Sequence, residues 1–400
     1  MNAPASHIRH PSTGRVHLLT SSRLTTWQRC PRAHHYRYEV GIVSVDRQSS
    51  ALTFGTAVHK GLESWWLTIQ AGDPGRALSG ALEAAEASLV SSGDGADPYD
   101  LARLLAMLAA YDARWLTWAC GTEVLAVETA FEYELTDPVT GKTAQTWRVA
   151  GKIDALVRLS DGRVAIIEHK SRAGDAGAGS DYRRRLTLDP QISTYFDGVR
   201  SLGWDAELCI YDVLVKPGTD PYTATPEESR KYTLPKSHAC KECKKPEAKR
   251  APLPHAEDGI ACVDGRIVTD PGGKLYANLR ETDESPEEYR DRLVAAVGAD
   301  PDRYLVHAEI VRTETERESH QWALWHTARQ ITETRRAALT TGDVRAVPQN
   351  SHACFAFGGS GCEYLAICEG TASARDTTRF EKLTTVHPEL ECAPNENGEE

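Results

Sequence analysis

Two apolar segments near the middle of the chain restrict the fold most, because only three residues separate them. They are 146-TWRVAGKIDALVRL-159 and 163-RVAIIEH-169. Their residue types favour β-strands, and the Asp161-Gly162 pair between them is typical of a tight turn. We therefore predict an antiparallel hairpin that forms part of a sheet.

The elements predicted around this hairpin are helices and further strands. Apolar residues at helical spacing predict helices near 54–71, 76–92, 99–119 and 320–340, with another that begins near Asp189. Runs of β-favouring residues predict strands at 123–135, 206–216 and 304–313. This order of elements predicts a mixed α/β core.

Composition and predicted structure divide the chain into seven segments. They are a disordered arm (1–20), a helical N-terminal part (21–122), the α/β core (123–216), a Cys-containing insertion rich in Pro, Gly and Lys (217–285), a strand and long helix that complete the core (286–345), a cysteine-rich segment (346–372) and a flexible acidic tail (373–400).

Length and charge limit the classes of protein that the chain can belong to. Its 400 residues, 40% of them hydrophobic, are enough for a sizeable core. No apolar run approaches 18 residues and the first residues lack the apolar core of a signal peptide, so we expect a soluble, cytoplasmic protein with no membrane partner. The net charge of −11 argues against indiscriminate coating of nucleic acid but allows a local basic groove.

Three charged residues are expected to converge where the hairpin leaves the core. Asp154 lies on the first strand, while Glu168 and Lys170 are two residues apart on the second and share one face. Carboxylates suit Mg²⁺ or Mn²⁺, which can bind a phosphate oxygen and lower the pKa of an attacking water. A lysine beside them can position that water or stabilise charge on phosphorus. The plain alternative is a surface ion pair at a strand end.

The order of these residues resembles the catalytic core of the PD-(D/E)XK nuclease superfamily. The resemblance rests on 151-GKID-154 followed by 164-VAIIEHK-170. Two more stretches, 54-FGTAVHKGLE-63 and 191-QISTY-195, resemble motifs of its RecB-like branch, which includes CRISPR-associated and phage iron-sulfur exonucleases. The fold implied is a mixed-sheet, restriction-endonuclease-like nuclease core with a helical N-terminal part and a C-terminal cluster-binding segment.

The resemblance also implies roles for individual residues. It implies catalysis by Asp154, Glu168 and Lys170, a metal site of His59, Asp154 and Glu168, and substrate binding by Gln191 and Tyr195. Spacing agrees with two of these roles, because His59 and Glu63 share a helix face and Asp189-Pro190 starts a helix that presents Gln191 and Tyr195 together. The alternatives are a packed or surface histidine and a tyrosine buried in the core.

Four cysteines at the two ends of the chain are also similar to those of that branch. Cys30, Cys354, Cys362 and Cys368 would supply the four thiolates of a 4Fe-4S cluster. The seven residues between Cys354 and Cys362 exceed the two-residue gap common in the family, while the five between Cys362 and Cys368 match it. Zinc is the competing choice for four cysteines.

A second group of cysteines lies in the insertion. Cys240 and Cys243 have C-x₂-C spacing, Cys262 follows, and His238 or His255 is available as a fourth ligand. Such a set predicts a small knuckle that binds Zn²⁺. The alternative is a flexible loop with free thiols.

Together these features predict a Mg²⁺- or Mn²⁺-dependent deoxyribonuclease that acts as an exonuclease on DNA that is single-stranded or has free ends. Basic runs at 183–185 and 241–250 are candidate DNA contacts. Two alternatives share the fold: a nuclease that processes spacer precursors in CRISPR adaptation, and a non-catalytic DNA-binding partner in recombination. Either would work with recombination or CRISPR-associated proteins, whereas the insertion favours a stand-alone, phage-encoded enzyme.

Overall fold

The structure is a computed structural model that describes eight stretches of the chain. They are residues 16–45, 50–91, 97–230, 253–255, 260–263, 266–267, 275–355 and 361–390. For the three short stretches between 253 and 267, the backbone alone is described.

Helices make up much of the described chain, and several begin at side chains that suit a helix start. They are α1 (Ser21–Arg29), α2 (Pro31–His34), α3 (Ser50–Gln70), α4 (Ala77–Val90), α5 (Pro98–Cys120), α6 (Asp181–Thr187), α7 (Pro190–Ser201), α8 (Pro286–Ala299), α9 (Pro301–Tyr304), α10 (Glu314–Thr341) and α11 (Leu365–Cys368). At α7, the side chain of Asp189 accepts a hydrogen bond from the Gln191 amide and Pro190 is the first helical residue. This cap fixes where α7 starts.

The strands form one large sheet and two small ones. They are β1 (His17–Leu19), β2 (Ile42–Ser44), β3 (Glu123–Thr136), β4 (Thr143–Arg158), β5 (Val164–Ala173), β6 (Leu208–Lys216), β7 (Leu253–His255), β8 (Ile260–Val263), β9 (Arg266–Ile267), β10 (Leu305–Ile310) and β11 (Phe380–Lys382). The large sheet has the order β1-β4-β5-β6-β10, with β3 also paired to β4. β5 and β6 run parallel and the β3–β4, β4–β5 and β6–β10 pairs are antiparallel, so the sheet is mixed.

Helices cover both faces of this sheet. On one face α3, α4 and α5 pack over a core that includes Trp66 and Ile167. On the other face α7 packs over a core that includes Ile166 and Phe196. Successive residues of β5 therefore point into different cores, as the two-residue period of a strand requires.

Phe131 of β3 sets how closely α7 approaches the sheet. Its buried ring lies between two glycines, Gly151 on β4 and Gly198 on α7, and a Cβ added at either glycine would lie 2.5 Å from a ring carbon. Such a contact is too short for any side chain, so both positions require glycine. The depth of α7, which bears Gln191 and Tyr195, thus depends on this contact.

The predicted fold class is confirmed. The structure has the mixed α/β core, and the Asp161-Gly162 turn joins β4 to β5 with Gly162 at a φ of +92°. The long C-terminal helix begins earlier than predicted, at Glu314 rather than near 320, because Thr313 and Glu316 form a capping box.

Two expectations about the chain ends are wrong where those ends are described. Within the predicted arm, residues 17–19 form β1, which pairs in parallel with β4. Within the predicted flexible tail, Phe380–Lys382 pairs with β2 and the Phe380 side chain is buried. Strands this short gave too weak a pattern in the sequence, and their partners are remote along the chain. Residues 1–15 and 391–400 lie outside the described residues.

The Phe131 contact predicts that replacing a helical glycine by alanine destabilises the protein at Gly198 but not at Gly298. Gly198→Ala should lower the free energy of unfolding by about 1–3 kcal/mol, because its new methyl group overlaps the Phe131 ring. Gly298→Ala in α8 is the matched control: no described heavy atom lies within 4 Å of the added Cβ, so it should be neutral or stabilising by up to about 1 kcal/mol. Urea unfolding of both variants measures this, and equal effects would contradict the packing described.

Candidate active site

Backbone pairing between β4 and β5 ends where the predicted charged residues begin. The two strands pair from Arg158 with Val164 to Ala155 with Ile167, and Asp154 and Glu168 come next on each strand. In place of a backbone partner, the amide of His169 donates a 2.7 Å hydrogen bond to Oδ2 of Asp154. The carboxylates of Asp154 and Glu168 therefore lie where the strands separate.

The same edge of β4 is shared by two different strands. β3 occupies one edge of β4 along most of its length, so β1 and β5 must both lie on the other. β1 pairs with residues 147–149 and β5 with residues 155–158. Among the described strands, none pairs with residues 150–154 on that edge. This gap in the sheet contains Asp154.

A chain of polar contacts joins the sheet to α7 on one side of the gap. Nζ of Lys170 donates to Oε1 of Glu168 at 2.5 Å and to Oε1 of Gln191 at 2.9 Å. Nε2 of Gln191 then donates to the hydroxyl of Tyr195 at 2.6 Å. The two-residue spacing on β5 and the four-residue spacing on α7 thus bring these four side chains together. Because Tyr195 is buried, its contact orients Gln191, which in turn orients the lysine.

Helix α3 places His59 on the other side of Asp154. Nδ1 of His59 lies 3.6 Å from Oδ1 of Asp154. Burial lowers the pKa of His59, but the carboxylate of Asp154 outweighs burial and raises it. Burial raises the pKa of Asp154, yet His59 and His169 outweigh burial and hold it well below the usual range. Asp154 is therefore ionised at neutral pH.

Glu168 is buried and lacks a partner for one of its oxygens. Burial raises the pKa of Glu168 to about 7, Lys170 opposes this shift, and Asp154 adds to it. Oε2 of Glu168 is buried with no hydrogen-bond partner among the described residues. A buried carboxylate oxygen without a partner costs free energy. A divalent cation beside Asp154 would satisfy it, so these residues fit the ion.

The structure adds Glu128, which the sequence did not indicate. Within the described part of the chain, His59, Glu128 and Asp154 form the one group of three ligands whose atoms all lie within 4.8 Å of one another. Glu128 lies on β3, and its position opposite Asp154 depends on the register across the β3–β4 loop. That register is not readable from the sequence.

A second group missed in the sequence supports the site from the face of the sheet that α3 and α5 cover. Oδ2 of Asp212 lies 3.1 Å from Nδ1 of His169 and accepts a 2.6 Å hydrogen bond from the hydroxyl of Tyr111. Nε2 of His307 lies 3.4 Å from Oδ1 of the same aspartate. Asp212 is fully buried. It holds the His169 ring, whose backbone amide in turn holds Asp154.

The four cysteines from the chain ends lie in one region. Cys30 and Tyr36 pack in one buried cluster with Cys362 and Cys368, and the amide of Cys362 donates to the carbonyl of Cys354 at 2.8 Å. Each of the four cysteines is a free thiol. Among the described residues, no three of them have sulfur atoms all within 4.8 Å of one another.

The predicted zinc site falls outside what the structure describes. Cys240, Cys243 and His238 lie outside the described residues, as do the side chains of His255 and Cys262. The zinc knuckle stays a prediction from spacing alone.

A comparison with protein families agrees with the geometry of the site. A family model described as the PD-(D/E)XK nuclease superfamily matches residues 18–369. The chain belongs to the PD-(D/E)XK nuclease superfamily. The matched range includes the gap in the sheet and all four cysteines of the chain ends.

The remaining comparisons add little to this assignment. No curated protein matches the chain. One similar solved structure is the crystal structure of SSO0001, at 14% sequence identity and a TM-score of 0.24. The match covers 51% of this chain and 65% of that one, which is less than two thirds of its length. In the described residues, no helix is both long and apolar enough to span a membrane.

Proposed function

We propose that the protein is a Mg²⁺- or Mn²⁺-dependent DNA exonuclease that acts on single-stranded or end-containing DNA in recombination, repair or phage DNA metabolism. The observation that supports it most is the meeting of Asp154, Glu168 and Lys170 at the gap where β4 and β5 separate. When bound there, a divalent cation supplies a Lewis acid that holds a phosphate oxygen and lowers the pKa of the attacking water.

The chain's own residues then have distinct tasks. Asp154 and Glu168 hold the ion, with His59 as a further ligand. Burial lowers the pKa of Lys170, but the carboxylate of Glu168 outweighs burial and holds that pKa above its usual range. Lys170 therefore keeps its charge and is suited to position the water and stabilise negative charge on the phosphate, rather than to accept a proton.

Gln191 and Tyr195 hold the lysine at its place. The amide oxygen of Gln191 accepts from Lys170 and its nitrogen donates to Tyr195, so the amide cannot turn over without losing both bonds. We expect the exposed part of Gln191 to contact the DNA backbone as well, in keeping with the predicted substrate-binding role.

Basic and aromatic side chains follow the catalytic strand and are suited to bind a single strand. The guanidinium of Arg172 at the end of β5 lies 4.0 Å from the centre of the Tyr182 ring. Tyr182 lies in the first turn of α6, which also contains the basic run at 183–185. Charge contacts with phosphates and stacking on aromatic rings bind single strands with little sequence preference.

We further propose that Cys30, Cys354, Cys362 and Cys368 bind a 4Fe-4S cluster. Burial raises the pKa of Cys368, Arg32 lowers it, and the other three thiols raise it further. A thiol whose pKa is raised by neighbouring thiols favours a positively charged cluster that stabilises its thiolate. A single tetrahedral zinc would hold thiolates about 3.8 Å apart, given a Zn–S bond of about 2.3 Å. The wider spacing among these sulfurs favours a cluster.

The catalytic assignment predicts large losses of activity without loss of fold. Glu168→Gln and Lys170→Met should each reduce cleavage of end-labelled linear single-stranded DNA with Mn²⁺ by at least about a hundredfold, because ion binding or charge stabilisation is lost. Glu132→Gln, on β3 and paired with Arg148, is the control and should cleave normally. Near-normal cleavage by folded Glu168→Gln protein would refute the assignment.

The same assay distinguishes an exonuclease from an endonuclease. Covalently closed circles of single-stranded DNA, incubated beside linear strands, should survive because a free end is required. Equal loss of circles and linear strands would support the metal-dependent nuclease but refute the exonuclease.

The cluster proposal predicts iron in protein purified without oxygen. Iron and sulfide should be present at about four each per chain. Cys362→Ser should lose this iron and unfold at a lower temperature, because the cluster joins residues more than three hundred positions apart. Cys120→Ser, at an exposed thiol of α5, is the control. Stoichiometric zinc at these cysteines without iron would contradict the proposal.

A further inference from the structure

Two carboxylates face each other across the β3–β4 pair. Val127 pairs with Ala155 and Thr129 with Ile153, which places Glu128 opposite Asp154. Like charges directly opposite each other in a sheet are destabilising. The arrangement therefore needs positive charge close by.

Part of that charge comes from neighbouring side chains. Nζ of Lys152 forms an ion pair with Oε2 of Glu128, and His59 pairs with Asp154. The Glu128 side chain is only 16% exposed.

The backbone of Glu128 is also unusual. Its φ of +46° makes it the one non-glycine residue in the left-handed region among those described. That conformation costs an ordinary side chain about 1–2 kcal/mol. Strain of this kind persists where the surroundings enforce it and is frequent at functional sites.

We propose that Glu128 is a further ligand of the divalent cation, together with His59 and Asp154, and that Lys152 is the counter-ion of Glu128 when no cation is bound. The inference rests on the metal-dependent nuclease proposed above and extends its ligand set. The ligand atoms of the three residues lie within 4.8 Å of one another, close enough to converge on one ion. Two carboxylates and an imidazole suit Mn²⁺ or Mg²⁺.

An independent observation also indicates a cation beside this group. Oε2 of Glu168, a side chain 97% buried, has no hydrogen-bond partner among the described residues, while its other oxygen accepts from Lys170. Glu168 and Asp154 each directly follow the last paired residues of β5 and β4, so they lie at the same point of separation. An ion bound at Asp154 would offset the negative charge of both this oxygen and the carboxylate of Glu128.

The carboxylate of Glu128 bears an ion pair with Nζ of Lys152 in the structure. Lys152 and the cation compete for Glu128, and this competition would raise the apparent dissociation constant for the metal.

A Mn²⁺ titration of the full-length protein tests the proposal, with free Mn²⁺ measured by electron paramagnetic resonance. Glu128→Gln should raise the dissociation constant for Mn²⁺ about tenfold or more, since even outer-shell partners affect metal affinity to that extent. Glu132→Gln, the same change on the same strand, should leave it unchanged. Lys152→Gln should lower the dissociation constant several-fold, because it removes the competitor.

The outcomes separate this inference from the proposed function. Wild-type affinity in folded Glu128→Gln protein, with binding still abolished in Glu168→Gln, would overturn the role of Glu128 and leave the nuclease proposal intact. Failure of wild-type protein to bind Mn²⁺ would overturn both. If Glu128→Gln does not fold, Lys152→Gln decides: unchanged or weaker Mn²⁺ binding by that variant refutes the competition.

Discussion

Hydrogen bonding between β4 and β5 stops at the residues that precede Asp154 and Glu168, and the arrangement of the site depends on this separation. Continued pairing would bring the two carboxylates together inside a closed sheet. Instead the amide of His169 donates to the carboxylate of Asp154. β1 pairs with residues 147–149 on the same edge of β4, and a gap remains between β1 and β5. The cores on both faces position β5 up to this point, because its successive residues Ile166 and Ile167 pack into different layers.

Short strands join segments from the two ends of the described chain. β1 pairs with β4, and β11 pairs with β2, so residues far apart in sequence are joined by short strands. The hydroxyl of Tyr364 donates to the carbonyl of Ile42 and strengthens this junction. The cluster that we propose for the neighbouring cysteines would add a further link between the same two ends.

Local sequence patterns predicted much of the site. Contacts that depend on how distant strands pair could not be predicted in this way. The two-residue period of β5 placed Glu168 with Lys170, and the helical period of α7 placed Gln191 with Tyr195. Glu128 was missed because its partner depends on a register set across the β3–β4 loop. Asp212 was missed because a single aspartate in the apolar run 206–216 gives no sign that the side chains of His169 and His307 will lie against it. Its contacts form only after the sheet and α5 have packed together.

Diffraction from crystals soaked in Mn²⁺ would show whether a divalent cation binds in the gap beside Asp154. The anomalous scattering of manganese locates the ion without reference to activity. We expect an anomalous peak about 2.0–2.3 Å from carboxylate oxygens of Asp154 and Glu168. A map in which the gap is well ordered at saturating Mn²⁺, yet shows no anomalous peak there, would refute a metal site at this position.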